Sequence, residues 1–90
     1  MKLRYRAQAL ADLGRIHEFV SQSSTRAAND VLARLHNGIG RLKMFPQLGR
    51  PGSVPGTREL ILARLPYIVV YRIADDTIDI IGVFHAAQER

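Results

Sequence analysis

Two segments near the carboxyl end, Tyr67 to Ile73 and Ile78 to His85, are dominated by β-branched, aromatic and aliphatic residues and are separated only by Ala74 to Thr77. That composition and spacing define a β-hairpin. Setting Ile73 opposite Ile78 pairs Arg72 with Asp79, Val70 with Ile81 and Ile68 with Val83 on one face. Tyr71 with Ile80, Val69 with Gly82 and Tyr67 with Phe84 then share the other. Both faces are largely apolar. One can be covered by the rest of the chain, so the second must be covered by something else or left as a sizeable exposed patch, the usual mark of a partner site.

The cover is written in the first half of the chain. Leu3 and Tyr5 alternate with Lys2, Arg4 and Arg6, which predicts a short strand. Ala9, Leu13, Ile16 and Val20 then recur at spacings of four, three and four, with Leu10 and Phe19 widening the stripe and Asp12 near the positive end of the helix dipole. Gly14 weakens this helix by about 1 kcal/mol relative to Ala. The polar run Ser21 to Thr25 ends it and supplies hydroxyls to cap a second helix, whose stripe is Ala28, Leu32, Leu35, Ile39 and Leu42. Two helices with so short a link form an antiparallel hairpin. Gly38 and Gly40 predict fraying or a close passage of another backbone, and Pro46 stops the helix.

From Gln47 to Gly56 the sequence QLGRPGSVPG predicts an irregular loop, and Arg58 to Leu62 a further strand before the hairpin. The expected class is α+β: an N-terminal strand, an antiparallel helical hairpin, then a three-stranded antiparallel meander, with the hairpin packed on one face of the sheet. Ninety residues without a linker or repeat predict a single domain, 1–90.

The chain carries 13 Lys plus Arg against 8 Asp plus Glu, a net charge of +5, and only Lys2 and Lys43 of the thirteen are lysines. Arginine's planar fork of donors matches carboxylates and phosphates, so the bias suits nucleic acid or an acidic protein partner. There is no Cys, hence no disulfide framework, thiolate metal site or cysteine nucleophile. The apolar runs are strand-sized, well short of the roughly 18 residues of a membrane span, and the amino terminus has no apolar signal core. A cytoplasmic protein with no membrane partner is expected.

Catalytic signatures are few. His17, His36 and His85 have no metal-ligand spacing, and the glycines of QLGRPGSVPG lack the Lys-Ser or Lys-Thr of a phosphate loop, so no metal or cofactor is expected. His85 is the one candidate acid or base, with Arg58 and Arg64 to hold a phosphate; a local hydrogen bond at the strand end is the simpler reading and the one favoured. Arg72 opposite Asp79 reads as a cross-strand ion pair. Arg50, Arg58 and Arg64 have no evident partner by spacing, which assigns them to intermolecular contact, the target-binding set.

The order of elements carries Ala9 with Asp12-Leu13, Ala27-Ala28, Phe45-Pro46-Gln47-Leu48-Gly49-Arg50 and Arg58-Glu59-Leu60. Pro66-Tyr67-Ile68-Val69-Val70-Tyr71-Arg72-Ile73 and Val83-Phe84-His85-Ala86-Ala87-Gln88 complete it. In this order the motifs resemble the RelE/ParE superfamily of type II toxin-antitoxin toxins, over essentially the whole chain. The SQSST link stands where relatives often carry an Asn-Pro pair.

That resemblance implies one of two activities. RelE-like members are ribosome-dependent mRNA endoribonucleases; they carry a basic residue where this chain has Ile68, and basic or aromatic residues where it has Ala86, Ala87 and Gln88. ParE-like members poison DNA gyrase by binding, and the apolar central strand followed by Tyr71-Arg72 is similar to theirs. If the chain is a ribonuclease, Arg58, Arg64 and His85 are the catalytic set; otherwise no catalytic residue and no cofactor is implied. A non-toxic antitoxin-binding remnant is the third possibility. The resemblance also implies a toxin-antitoxin hetero-oligomer with a small cognate antitoxin, DNA-binding in its amino-terminal half and acidic in its tail. With Tyr67, Val69 and Tyr71 resting on the helices, the open face would offer that tail Ile68, Val70, Arg72, Ile81, Val83 and His85.

Overall fold

The computed structural model describes residues 1–88; Glu89 and Arg90, the end of the expected 1–90 domain, lie outside the described residues. In chain order it contains β1 (Lys2–Tyr5), α1 (Ala7–Ser21), α2 (Thr25–Gly40), a 3-10 turn (Arg41–Lys43), β2 (Arg50–Pro51), β3 (Arg58–Ile61), β4 (Tyr67–Ala74) and β5 (Thr77–His85). The strands form one mixed sheet in the order β1-β5-β4-β3-β2, with β1 parallel to β5 and the other neighbours antiparallel. The architecture is the α+β one implied by the sequence. The loop expected from Gln47 to Gly56 departs from it, because Arg50–Pro51 pairs with Glu59 and Arg58 as a short edge strand.

The helical stripes act as their spacing requires. Ala9, Leu13 and Ile16 of α1 and Leu35 and Ile39 of α2 meet Leu60, Val69, Tyr71, Ile78 and Ile80 in one core on one side of the sheet. Ser24 caps α2, its hydroxyl accepting from the Ala27 amide at 3.1 Å. Helix α2 does not fray at Gly38: the side chain of Leu62, rather than a backbone, fills the notch left by the absent Cβ. The β4–β5 turn passes through Asp75 in the left-handed region, φ 56°, which a short polar side chain tolerates.

The fully buried Tyr71 ties this core to the irregular segment after α2. Its hydroxyl donates to the Pro46 carbonyl at 2.7 Å and accepts from the Gly49 amide at 2.8 Å. Gly49 is the only residue type that fits there, since a Cβ would lie 2.7 Å from the Tyr71 ring and 2.9 Å from the Glu59 carbonyl.

The β4–β5 ladder corrects the expected register. It is regular from Ala74–Thr77 to Tyr71–Ile80, then shifts, so Val70 faces Gly82, Val69 faces Val83, Ile68 faces Phe84 and Tyr67 faces His85. Ile81 is the extra residue of a β-bulge. From outside the strand, Asp12, buried on α1, accepts the Val83 amide at 2.9 Å through Oδ2. Because α1 begins at Ala7, Asp12 sits in the second turn and serves β5 rather than the helix dipole.

At the far end of β5, Arg72 and Asp79 are opposite as expected, but the guanidinia that hold Asp79 come from the amino terminus. Arg6 reaches it at 2.8 Å and Arg4 at 3.4 Å, over a carboxylate whose side chain is only 4% exposed. The parallel pairing of β1 with β5 puts Arg4 level with Asp79. Burial alone would raise the Asp79 pKa; the hydrogen bonds and charges of Arg6 and Arg4 outweigh it and lower the value.

Two outcomes follow from these contacts. Tyr71→Phe, which orphans the buried Gly49 amide, is expected to cost about 1–3 kcal/mol in urea unfolding. A carboxyl lowered on folding contributes stability that is complete above its unfolded pKa and is lost as pH falls through the folded value. Asp79→Asn is therefore expected to lower stability at pH 7 and to flatten the loss of stability below about pH 4, read from melting curves across pH.

Candidate functional site

The bulge decides which side chains the chain presents on each side of β5. Val83 turns toward the helices and joins the core, and His85 follows it, its ring edge-on to Tyr67 with centroids 5.6 Å apart. The open face expected from Ile68, Val70, Arg72, Ile81, Val83 and His85 is thus split. Ile68, Val70 and Arg72 remain on the face away from the helices; Val83 and His85 leave it, and Ile81 is the half-buried bulge residue.

That second face is also less open than expected. Ile68 and Val70 are buried, because the turn after β2 folds over this side: Gly52 donates to the Thr57 carbonyl at 2.8 Å, and Gly56, φ +86°, lies against the Arg72 guanidinium. Arg50, Gly52, Glu59, Ile68 and Phe84 line a shallow groove beneath the turn. Ile61, opposite Ile68 on the edge-ward strand, is 52% exposed.

The three basic residues proposed from sequence as a catalytic set are not brought together. Arg58 pairs with Tyr71 on one side of β4, whereas His85 pairs with Tyr67 on the other. Four residues along β4 and two strand spacings separate their backbones by about 16 Å. The Arg58 guanidinium is already engaged by the Gly49 carbonyl at 2.6 Å and the Gln47 carbonyl at 3.4 Å. His85 accepts the Ala87 amide at Nδ1 at 3.0 Å, the local strand-end bond that the sequence allows. Arg64 lies in the β3–β4 loop at φ 65°, exposed. This loop packs on α2, where Arg34 donates to the Ala63 carbonyl at 3.3 Å.

Arg50 and Arg58 have intramolecular partners after all. The β2–β3 register sets Arg50 opposite Glu59, giving an ion pair of 3.1 Å, and β3 brings Arg58 to the loop carbonyls. Among the described residues Arg64 is the member of the trio whose guanidinium makes no such bond. His17 binds Asn29 across the helical hairpin at 2.8 Å and His36 binds the Tyr5 hydroxyl at 3.2 Å, so both serve packing. No group of three His, Asp or Glu suited to a metal occurs among the described residues, and none of their helices is long and apolar enough to cross a membrane.

A second groove, of about 370 Å³, runs between α1 and the end of β5. Ile16, Tyr67 and Val83 form its floor, while Arg15, His85 and the 69%-exposed Phe19 stand at its sides. It was missed in the sequence because it exists only once the bulge has turned Val83 and His85 toward α1. The one sequence signal was a carboxylate, Asp12, within an otherwise apolar helical stripe.

Residues 3–90 match the family model described as the ParE toxin of type II toxin-antitoxin systems, parDE. The chain belongs to the ParE toxin family. Y4kP of Sinorhizobium fredii is 39% identical over 98% of this chain and 91% of its own length. Toxin RelE2 of Caulobacter vibrioides is 35% identical over 90% of each. Among solved structures, a chain of the chromosomal ParDE toxin-antitoxin system from P. aeruginosa superposes with a TM-score of 0.85 at 27% identity, covering 94% of this chain and 95% of that one. This ParE-family member shares the RelE/ParE fold, with both helices on one face of the sheet.

The arginines of this ParE-family chain separate by task, which mutation can read. Arg58→Ala, which releases the carbonyls of Gln47 and Gly49, is expected to cost about 1–3 kcal/mol in chemical unfolding. Arg64→Ala is expected to stay within about 0.5 kcal/mol of the parent.

Proposed function

We propose that this toxin acts by binding rather than by cutting, with DNA gyrase as its target, and that a cognate antitoxin neutralises it. The observation that carries the reading is the dispersal of Arg58, Arg64 and His85. Metal-free cleavage of a phosphodiester needs a proton donor or acceptor and a cationic group converging on one phosphate. Here two of the three groups stand about 16 Å apart at the backbone, and Arg58 and the His85 Nδ1 already have partners. Ile68 supplies no charge at the centre of the sheet. A binding toxin requires only a surface, and needs no cofactor.

Arg64 is the target contact this reading favours within the set Arg50, Arg58 and Arg64, because its guanidinium is exposed and uncommitted. The antitoxin of this reading is a small protein with a DNA-binding amino-terminal half and an acidic tail that forms a hetero-oligomer with the toxin; likeness to a chain of the P. aeruginosa ParDE toxin-antitoxin system supports an antitoxin partner. Its tail is assigned to the face where Arg72 and Ile61 border the buried Ile68 and Val70; a net charge of +5 attracts such a tail at long range.

Purified toxin added to gyrase in a supercoiling assay is expected to inhibit the enzyme or trap its cleavage complex, and Arg64→Ala to weaken the effect without loss of fold. Primer extension on translated messages after toxin induction is expected to show intact mRNA. Cleaved messages with unaffected gyrase would replace this reading by the endoribonuclease, and normal growth with soluble protein by an inactive antitoxin-binding module.

A further inference from the structure

We propose that the outer half of β5 is a two-register element and that Asp12 is the positioning residue that selects between the registers, and so fixes which side chains the chain offers on each face of the sheet. The inference rests on geometry alone and stands whatever the toxin's target.

The hairpin can be paired in two ways that both keep it apolar. In the regular ladder Ile68 faces Val83 and Tyr67 faces Phe84; in the observed one Val69 faces Val83 and Tyr67 faces His85. The regular ladder would place Phe84 and Gly82 on the helix side, and Val83 and His85 on the other. Because β-branched and aromatic residues occupy both parities, hydrophobic pattern does not choose between them.

The hydrogen-bond accounting chooses. The bulge residue is Ile81, and past it Val83 stands opposite Val69, where a buried Val83 amide without a partner would be costly. Here the Val83 amide is taken by Asp12 Oδ2 at 2.9 Å. The carboxylate is itself fixed for that purpose: Gln8 donates to Oδ1 at 2.8 Å, and Arg15 is ion-paired to the same oxygen. Gly82 completes the fit, since a Cβ there would stand 3.1 Å from Oδ2. Three residues on one helix and a glycine on the strand thus converge on a bond that exists only in the bulged register. Both surfaces depend on it: Val83 and His85 line the groove under Phe19 and not the opposite one, where Phe84 stands beside Ile68.

The test is cross-strand NOE mapping of the full chain, small enough for complete assignment. The parent is expected to show contacts between Val69 and Val83 and between Tyr67 and His85. Asp12→Ala is expected to lose them and gain contacts between Ile68 and Val83, either wholly or in exchange. Asp12→Asn, which keeps an oxygen for the Val83 amide, is expected to restore the parent pattern, a rescue that loss of packing alone does not predict. A folded Asp12→Ala chain with the parent contacts intact overturns the proposal. Should Asp12→Ala fail to fold, Gly82→Ala decides: it crowds Oδ2 with Asp12 in place, and exchange of the Val83 amide is expected to quicken about tenfold or more. Unchanged exchange in folded Gly82→Ala is the overturning result.

Discussion

A hairpin that is apolar on both sides needs two covers, and the chain supplies them unequally. The helical hairpin puts a thick layer of aliphatic side chains over Val69, Tyr71, Ile80 and Val83. Among the described residues the other side receives the turn after β2, two residues of edge strand and a glycine against Arg72, with Ala86 and Gln88 at the edge of the groove. Much of the remaining architecture serves to hold these covers down. Tyr71 clasps the segment after α2 through Pro46 and Gly49, Arg58 grips the same segment by the Gln47 and Gly49 carbonyls, and Asp12 fastens β5 to α1. Each clasp joins a buried or half-buried polar group to backbone, where the bond is worth most because the alternative is an unsatisfied group.

This explains how far the sequence could be read. The helical stripes and strand-forming segments were legible because burial imposes a period on them, and the α+β order followed. Register past Tyr71 was not, because a strand apolar on both parities carries no periodic signal and the deciding bond comes from a residue more than sixty positions away. The candidate site inherited that error: Val83 and His85 were placed on the open face by counting in twos. Arg50–Pro51 was likewise unreadable as a strand, since proline and glycine dominate its surroundings and only the tertiary position of β3 makes the pairing possible.

The charge has a different meaning once the contacts are known. Arg4 and Arg6 hold Asp79, Arg15 holds Asp12, Arg50 holds Glu59, and Arg34 and Arg58 donate to carbonyls. Six arginines that composition would count toward a partner are thereby committed to internal structure. Arginine suits this use because its fork can meet a buried carboxylate while the rest of the side chain stays in water. Arg4, for instance, remains 73% exposed while bonded to an Asp79 side chain that is only 4% exposed. The field of the molecule stays positive, so long-range attraction of an acidic partner survives, but specific contact falls to the few guanidinia without internal duties.

Such a division bears on how one scaffold can host toxins of different action. The clasps that make the fold act on backbone atoms and on two buried carboxylates, and none of them requires a charge at position 68 or after β5. The exposed residues after β5 are therefore outside these clasps, whereas position 68 is buried and bears on packing. A basic residue at Ile68 would stand beside Phe84 on the face away from the helices, whereas His85, paired with Tyr67, lies on the helix side. With isoleucine there and alanine after β5 instead, these positions carry no charge of their own. What remains around them is the positive field of the molecule, which attracts acidic partners at long range.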